Sequence, residues 1–314
     1  MILCAGLCTL DILQRVSRYP GDNEKVTAVD QTVAAGGPAT NAAVTAAHLG
    51  TPAVLVTAVG RHPLAAGIRA DLSAAGVRLV DLAAGDPGAP PVSSIVASGG
   101  NRAVVSTNGA ARALSVPDPA RWLAGAAAVL VDGHYPELAV AVLRSARRLG
   151  IPTLLDAGSW KAVTPSLLPL ADVVVCSADL RPPNATPDST PARDAGPGPG
   201  ATRAPGAASV PGAGPASARV VAETLAASGV RWIAISRGAE PILRWTGEGF
   251  REQPVPQPTV VDTLGAGDVL HGALAVAVAG RWPLTDGTFA AALDEAAAVA
   301  SRSCASFGTR AWMR

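Results

Sequence analysis

The sequence predicts an α/β protein: a doubly wound, mostly parallel sheet with helices on both faces and a small β-sheet lid. Three observations predict it. Short, almost wholly apolar runs recur at residues 2–7, 53–59, 127–131, 152–156, 171–176 and 232–236, as expected for strands buried on both faces of a parallel sheet. Helix-length segments lie between them and give a β–α–β rhythm of crossover connections. Half-polar runs at residues 25–33, 91–97 and 102–107 suit a second, smaller sheet standing off the main body.

Composition sets the bounds. At 314 residues the chain is ordinary for a single large α/β domain, and one domain over residues 1–314 is expected. A hydrophobic content of 49% argues for a packed globular protein, and a formal net charge of +1 gives no electrostatic reason to expect nucleic acid or an acidic membrane. Small molecules remain as the expected ligands. The apolar runs are too short or too polar to span a bilayer, and residues 2–7 follow Met1 without a basic leader, so a cytoplasmic protein is expected. Cys4, Cys8, Cys176 and Cys304 form no CxxC pair and read as free thiols.

Taken in order, residues 2–7 read as a buried strand, with Gly6 followed by Asp11 where it leaves the core. Lid strands are expected within residues 12–35 and 90–107, the latter a hairpin turning at Ser98-Gly99-Gly100-Asn101. Gly36-Gly37-Pro38 opens an Ala-rich helix that runs to Leu49-Gly50, with Asn41 in its opening turns. Pro63 starts a helix reaching Ala75-Gly76, and another occupies residues 137–149. Residues 182–217 are dense in Pro, Gly, Ala, Ser and Thr and too poor in large apolar residues to bury a core of their own. They read as an insertion, because a helix at 218–227, a strand at 232–236 and a hairpin at 242–250 resume the pattern.

The stretch with the most chemistry is Asp262-Thr263-Leu264-Gly265-Ala266-Gly267-Asp268, followed by an apolar helix that Gly280 closes. Gly265 and Gly267 admit a ligand close to the backbone, and the amides of Gly265, Ala266 and Gly267 at a helix N-terminus offer donors and a positive dipole end. That is an anion site. An aspartate among such donors points to proton handling beside charge stabilisation, the pairing that phosphoryl transfer needs. Alone, the stretch reads equally well as a strand-to-helix turn capped by Asp268. No GxxxxGK[ST] occurs, and the third glycine and downstream acid of a dinucleotide fold are missing.

Together, Gly36-Gly37-Pro38-Ala39-Thr40-Asn41 and residues 262–268 resemble the paired signatures of the ribokinase-like (PfkB-type) carbohydrate kinases. Residues 36–49 and 260–274 look most like the sulfofructose-kinase branch, and residues 2–11 and 100–105 like ketohexokinases. The resemblance implies ATP-dependent phosphorylation of a sugar hydroxyl, with Asp268 as general base and Gly265, Ala266 and Gly267 as anion hole. It implies sugar binding by Asp11, Gly37, Asn41 and Arg102, and nucleotide binding by Ser236, Gly238 and Thr263. ATP with Mg2+ is the implied cofactor pair, and a monovalent cation is compatible with it. A homodimer through the lid is compatible with the family too. The family's Asn-xx-Glu motif is replaced by Cys176-Ser177-Ala178-Asp179-Leu180, so no metal ligand is assigned, Asp179 being a substitute. Arg102 reads equally as a solvated arginine, and His271, one turn beyond Asp268, as a packed side chain. Two other functions fit the same residues. A catalytically silent sugar- or nucleotide-binding regulator differs by consuming no ATP, and a nucleoside kinase is disfavoured by the scarcity of aromatic residues in the front half to stack a base.

Overall fold

A computed structural model of the chain describes residues 1–107, 109, 112, 114–183 and 215–314. In chain order the elements are β1 (Ile2–Ala5), β2 (Thr9–Arg15), β3 (Asp30–Gly36), α1 (Pro38–His48), β4 (Ala53–Thr57), α2 (Ala65–Ala74), β5 (Val77–Asp81), β6 (Val92–Ser98), β7 (Asn101–Ser106), α3 (Ala120–Leu123) and β8 (Ala128–Val131). They continue with α4 (Pro136–Arg148), β9 (Thr153–Ala157), α5 (Thr164–Leu167), β10 (Val173–Ser177), α6 (Pro215–Ala227), β11 (Trp232–Arg237), β12 (Glu240–Trp245), β13 (Phe250–Gln253), α7 (Ala266–Ala279) and α8 (Asp286–Ser303). Among the described residues one sheet has nine strands in the order β13-β12-β11-β10-β9-β8-β1-β4-β5, and a second has β3-β2-β6-β7. The large sheet is parallel from β5 to β11 and ends in the antiparallel β12 and β13.

Strand β1 shows why the apolar runs lack alternation. Ile2 and Cys4 pack into a core built with α1, α2, α7 and α8, while Leu3 and Ala5 pack into the opposite core with α3, α4, α5 and α6. Both faces are covered, so both residue sets must be apolar. On the first face α1 and α7 approach very closely: a Cβ on Gly272 would lie 2.5 Å from the carbonyl oxygen of Ala42. This contact sets Asn41 of α1 beside the start of α7.

The small sheet grows out of the large one. After β1, Gly6, Leu7 and Cys8 lead into β2, which pairs antiparallel with β3 from Thr9↔Gly36 to Arg15↔Asp30 and parallel with β6. Two expectations are corrected here. The chain leaves the core at Gly6 as expected, but Asp11 lies beyond that exit, inside a lid strand opposite Ala34, because β2 already starts at Thr9. The strand expected at 25–33 is Asp30–Gly36, since its seven residues match the seven of β2 in register. Gly280 closes α7 as expected but with φ −80°, so no left-handed cap forms. The insertion expected at 182–217 lies outside the described residues except at its two ends. Among the described residues no helix is long and apolar enough to cross a membrane.

Candidate active site

The parallel strands β1, β8, β9, β10 and β11 end on one edge of the sheet, where a doubly wound fold places its ligand crevice. Helix α7 begins at that edge. Its N-cap, Gly265, is left-handed at φ 75° and supplies no side-chain cap, so the turn needs glycine and the first-turn donors are left for a ligand. The Ala266 amide makes only a long 3.3 Å turn bond to the Thr263 carbonyl. A Cβ on Gly267 would meet nothing within 4 Å, and Gly267 lines a cavity of about 400 Å³. Asp262 shapes the approach, accepting from the amides of Leu264 at 2.9 Å and Gly308 at 2.9 Å.

Asp268 sits in the first turn of α7 and is not its cap. Its Oδ2 accepts from Asn41 Nδ2 at 2.8 Å. Burial pushes the Asp268 carboxyl up to about 7, the charge of Asp156 adds to the rise, and the Asn41 hydrogen bond and His271 oppose it. Asp156, at the end of β9, is buried and accepts from the Gly158 amide at 3.0 Å. His271 packs beneath: Nδ1 is 2.6 Å from the Gly267 carbonyl, Nε2 is 3.2 Å from the Val175 carbonyl, and Nδ1 is 3.4 Å from Asp156 Oδ2. Both carbonyls only accept, so an imidazolium satisfies both and a neutral ring satisfies one. His271 therefore supports the helix start from below.

Asp11 faces Gly36 so closely that a Cβ there would lie 1.8 Å from its Oδ2. Thr9 Oγ1 donates to Asp11 Oδ1 at 2.5 Å, and burial raises its carboxyl above the ordinary range. Gly37, at φ 95°, precedes α1 where a Cβ would meet the Leu7 carbonyl at 2.5 Å. Arg102, exposed on the lid hairpin, donates to Thr263 Oγ1 at 3.1 Å. It lines the 400 Å³ cavity with Ser236, Gly238, Thr263 and Gly267, whose apolar walls include Ile242, Val255, Leu270 and Ala297. Arg102 thus joins the lid to the turn before α7 at the rim of this cavity.

Three groups escaped the sequence reading. Asp132, after β8, accepts from the amides of Leu7 at 2.8 Å, Ala39 at 3.2 Å and His134 at 2.9 Å, pinning the start of α1 to the strand ends. Asp156 closes an apolar run just as Asp132 does, and an acid at the C-terminal end of a parallel strand is a signal that could have found both. Arg310, which donates to Asn41 Oδ1 at 3.1 Å across 269 positions, carries no such signal.

A nine-stranded, doubly wound sandwich whose lid stands over a glycine-opened helix with an aspartate in its first turn is the ribokinase-like fold. The chain belongs to the pfkB family of carbohydrate kinases, whose model matches residues 1–179 and 203–313. The ribokinase of Giardia lamblia shares the fold with a TM-score of 0.78 at 17% identity, covering 100% of this chain and 95% of that one. That of Arabidopsis thaliana, solved with ribose and ATP, has a TM-score of 0.70 at 21% identity, with 98% and 93% covered. An ATP-dependent ribose-1-phosphate kinase from Halopiger xanaduensis is 29% identical over 159 residues, 50% of this chain and 54% of that protein. The match spans about half the length of this curated relative.

Proposed function

We propose that the chain is an ATP-dependent kinase of a sugar or sugar derivative, with Asp268 as general base and the amides of Gly265, Ala266 and Gly267 as anion hole. The observation that carries the reading is Asp268 at the open N-terminus of α7, its carboxyl raised to about 7 beside donors that suit a phosphoryl group. A base titrating there is matched to work near neutral pH. Asn41 occupies Oδ2, and Oδ1 is the oxygen offered to the acceptor hydroxyl. Asp268 takes the hydroxyl proton as the new O–P bond forms and the bond to the ADP oxygen breaks, while the amides hold the charge on the transferring group.

Asp11, Gly37, Asn41 and Arg102 are the proposed acceptor contacts. Asn41 keeps one N–H for this task, since its other hydrogen bonds go to Asp268 and Arg310. Ser236, Gly238 and Thr263 are the proposed nucleotide contacts around the cavity. ATP fits that cavity, with apolar walls for the base and the α7 donors for the phosphates. Mg2+ fits a site without a protein cage: among the described residues no three His, Cys, Asp or Glu are arranged to hold a metal ion by themselves, and this ion commonly retains water and is held by one or two carboxylates plus phosphates. Asp179, after β10, is the carboxylate that would hold it beside the phosphates, and it would neutralise phosphoryl charge.

The curated relative's name makes a sugar phosphate a candidate acceptor beside the ketohexoses and sulfonated sugars that the motifs suggest. The test is ADP release by purified protein over ketohexoses, pentoses, sugar phosphates including ribose 1-phosphate, sulfonated sugars and nucleosides. Acceptor-dependent release with a sugar class is expected. Release only with nucleosides would make this a nucleoside kinase, and binding of sugar and ATP without release would make it a silent regulator.

A further inference from the structure

We propose that Arg310 is a positioning residue for phosphoryl transfer: it fixes the amide of Asn41 and through it the orientation of Asp268. The inference deepens the kinase reading and rests on it. Arg310 lies near the end of the chain, yet its side chain is only 17% exposed and its guanidinium sits where α1, α2 and β3 meet. Nη1 donates to Asn41 Oδ1 at 3.1 Å and to Thr309 Oγ1 at 3.1 Å. Nε and Nη2 donate to Asp71 Oδ2 at 3.2 and 3.0 Å, and Nη2 also to the Ala35 carbonyl.

A guanidinium only donates, so the Asn41 atom facing it must be the oxygen. The amide nitrogen is then directed at Asp268 Oδ2. A rotated amide would set NH2 against the guanidinium and oxygen against the carboxylate, two repulsive contacts in place of two hydrogen bonds. The amide orientation is thus fixed from both ends. Asp268 is faced by Asn41 from α1, Asp156 from β9, Asp11 from β2 and His271 from α7, and Arg310 lies behind Asn41. Two of these groups are acids that disfavour its charged form, so a donor held by Arg310 keeps the carboxylate available as a base. Asp71 in turn accepts from the Ala35 amide at 3.0 Å, and Ala35 belongs to β3, the lid strand opposite β2. One guanidinium therefore ties the base of the lid to the general base. The planar fork is what lets it serve Asp71 and Asn41 together, which a lysine ammonium does not reproduce.

The alternative is that Arg310 merely pins the chain end to α2. Arg310→Lys separates the two, because it keeps a cation for Asp71 but loses the fork, and Arg310→Met removes both. If Arg310 positions Asp268, Arg310→Lys keeps the wild-type Tm and an ATP KM within about threefold, while kcat at pH 7 falls at least about tenfold, a fraction of what a positioned acid–base group contributes. The acidic limb of kcat/KM moves to higher pH by about 0.5–1 unit, the sign expected when a carboxylate loses a donor. The same rise should appear in a 13C NMR titration of the Asp268 carboxyl, assigned by its absence in Asp268→Asn, which needs no turnover. An unchanged titration and kcat in both variants, full recovery of both by Arg310→Lys, or loss of folding in both would overturn the proposal. Wild-type protein that releases no ADP with any acceptor would overturn the kinase reading alone, since the titration still tests the link from Arg310 to Asp268.

Discussion

Asp268 and Gly267 divide the proposed work at the helix start between a proton acceptor and a backbone donor. Asp268→Asn keeps the shape and removes the acceptor, so turnover should fall by at least about 10²-fold with little change in ATP or sugar affinity. Near-normal turnover in this variant would rule Asp268 out as the base. In the wild type the acidic limb of kcat/KM should lie near 7, because burial and Asp156 raise the carboxyl to about 7 and only the ionised form accepts the proton; turnover is lost as pH falls through that value. Gly267→Val adds a side chain where a Cβ has open space, so the protein should fold while ATP binding and turnover fall together, as calorimetry and kinetics on the same sample would show. At this scale the sequence was informative where function leaves a short pattern. Residues 262–268 and Asn41 stood in two short motifs that resemble the paired family signatures, whereas Arg310 and Asp71 gain their roles from contacts 36 to 269 positions apart, which no local pattern encodes.

Elements bring these residues together, and α1 against α7 is the pair that matters most. The start of each helix is fixed by the loop before it: Asp132 holds the Ala39 amide of α1, and Asp262 holds the turn before α7. Their crossing depends on Gly272, so Gly272→Ala should force the helices apart and cost about 1–3 kcal/mol, the usual range for overpacking. A denaturant midpoint should show that loss, and turnover should fall with it because the Asn41–Asp268 hydrogen bond spans the same interface. An unchanged midpoint would mean that the helices adjust freely. The insertion makes the opposite prediction. Leu180 before it and Ala218 after it are buried in the same core, and the family match stops at residue 179 and resumes at 203. Replacing residues 184–214 by a short Gly-Ser join should leave cooperative unfolding and ADP release intact, since loop length is a mild entropic term. Loss of soluble protein on that deletion would show the segment to be structural.

Across the whole molecule, one edge of a large sheet carries the site and a small sheet stands over it. The large sheet was legible because a strand covered on both faces must be apolar throughout, as Ile2 to Ala5 are. The lid was legible less sharply, since its strands are half exposed and only pairing between β2 and β3 decides which seven residues form each of them. That exposure has a consequence for assembly. Among the described residues strand β7 is an edge strand on which Val104 is 49% and Val105 76% exposed, and an exposed apolar edge strand is what a second copy can cover. Lid-to-lid pairing would place that copy next to Arg102, the lid residue bonded to Thr263. A homodimer is therefore predicted in solution, by sedimentation at micromolar concentration. Val105→Lys should shift it towards monomer, because a charge at an edge opposes pairing. If the dimer holds the hairpin in place, the monomer should show a raised sugar KM and a nearly unchanged ATP affinity. A wild-type monomer at all concentrations, or a Val105→Lys dimer as tight as wild type, would show that the lid edge is not the contact.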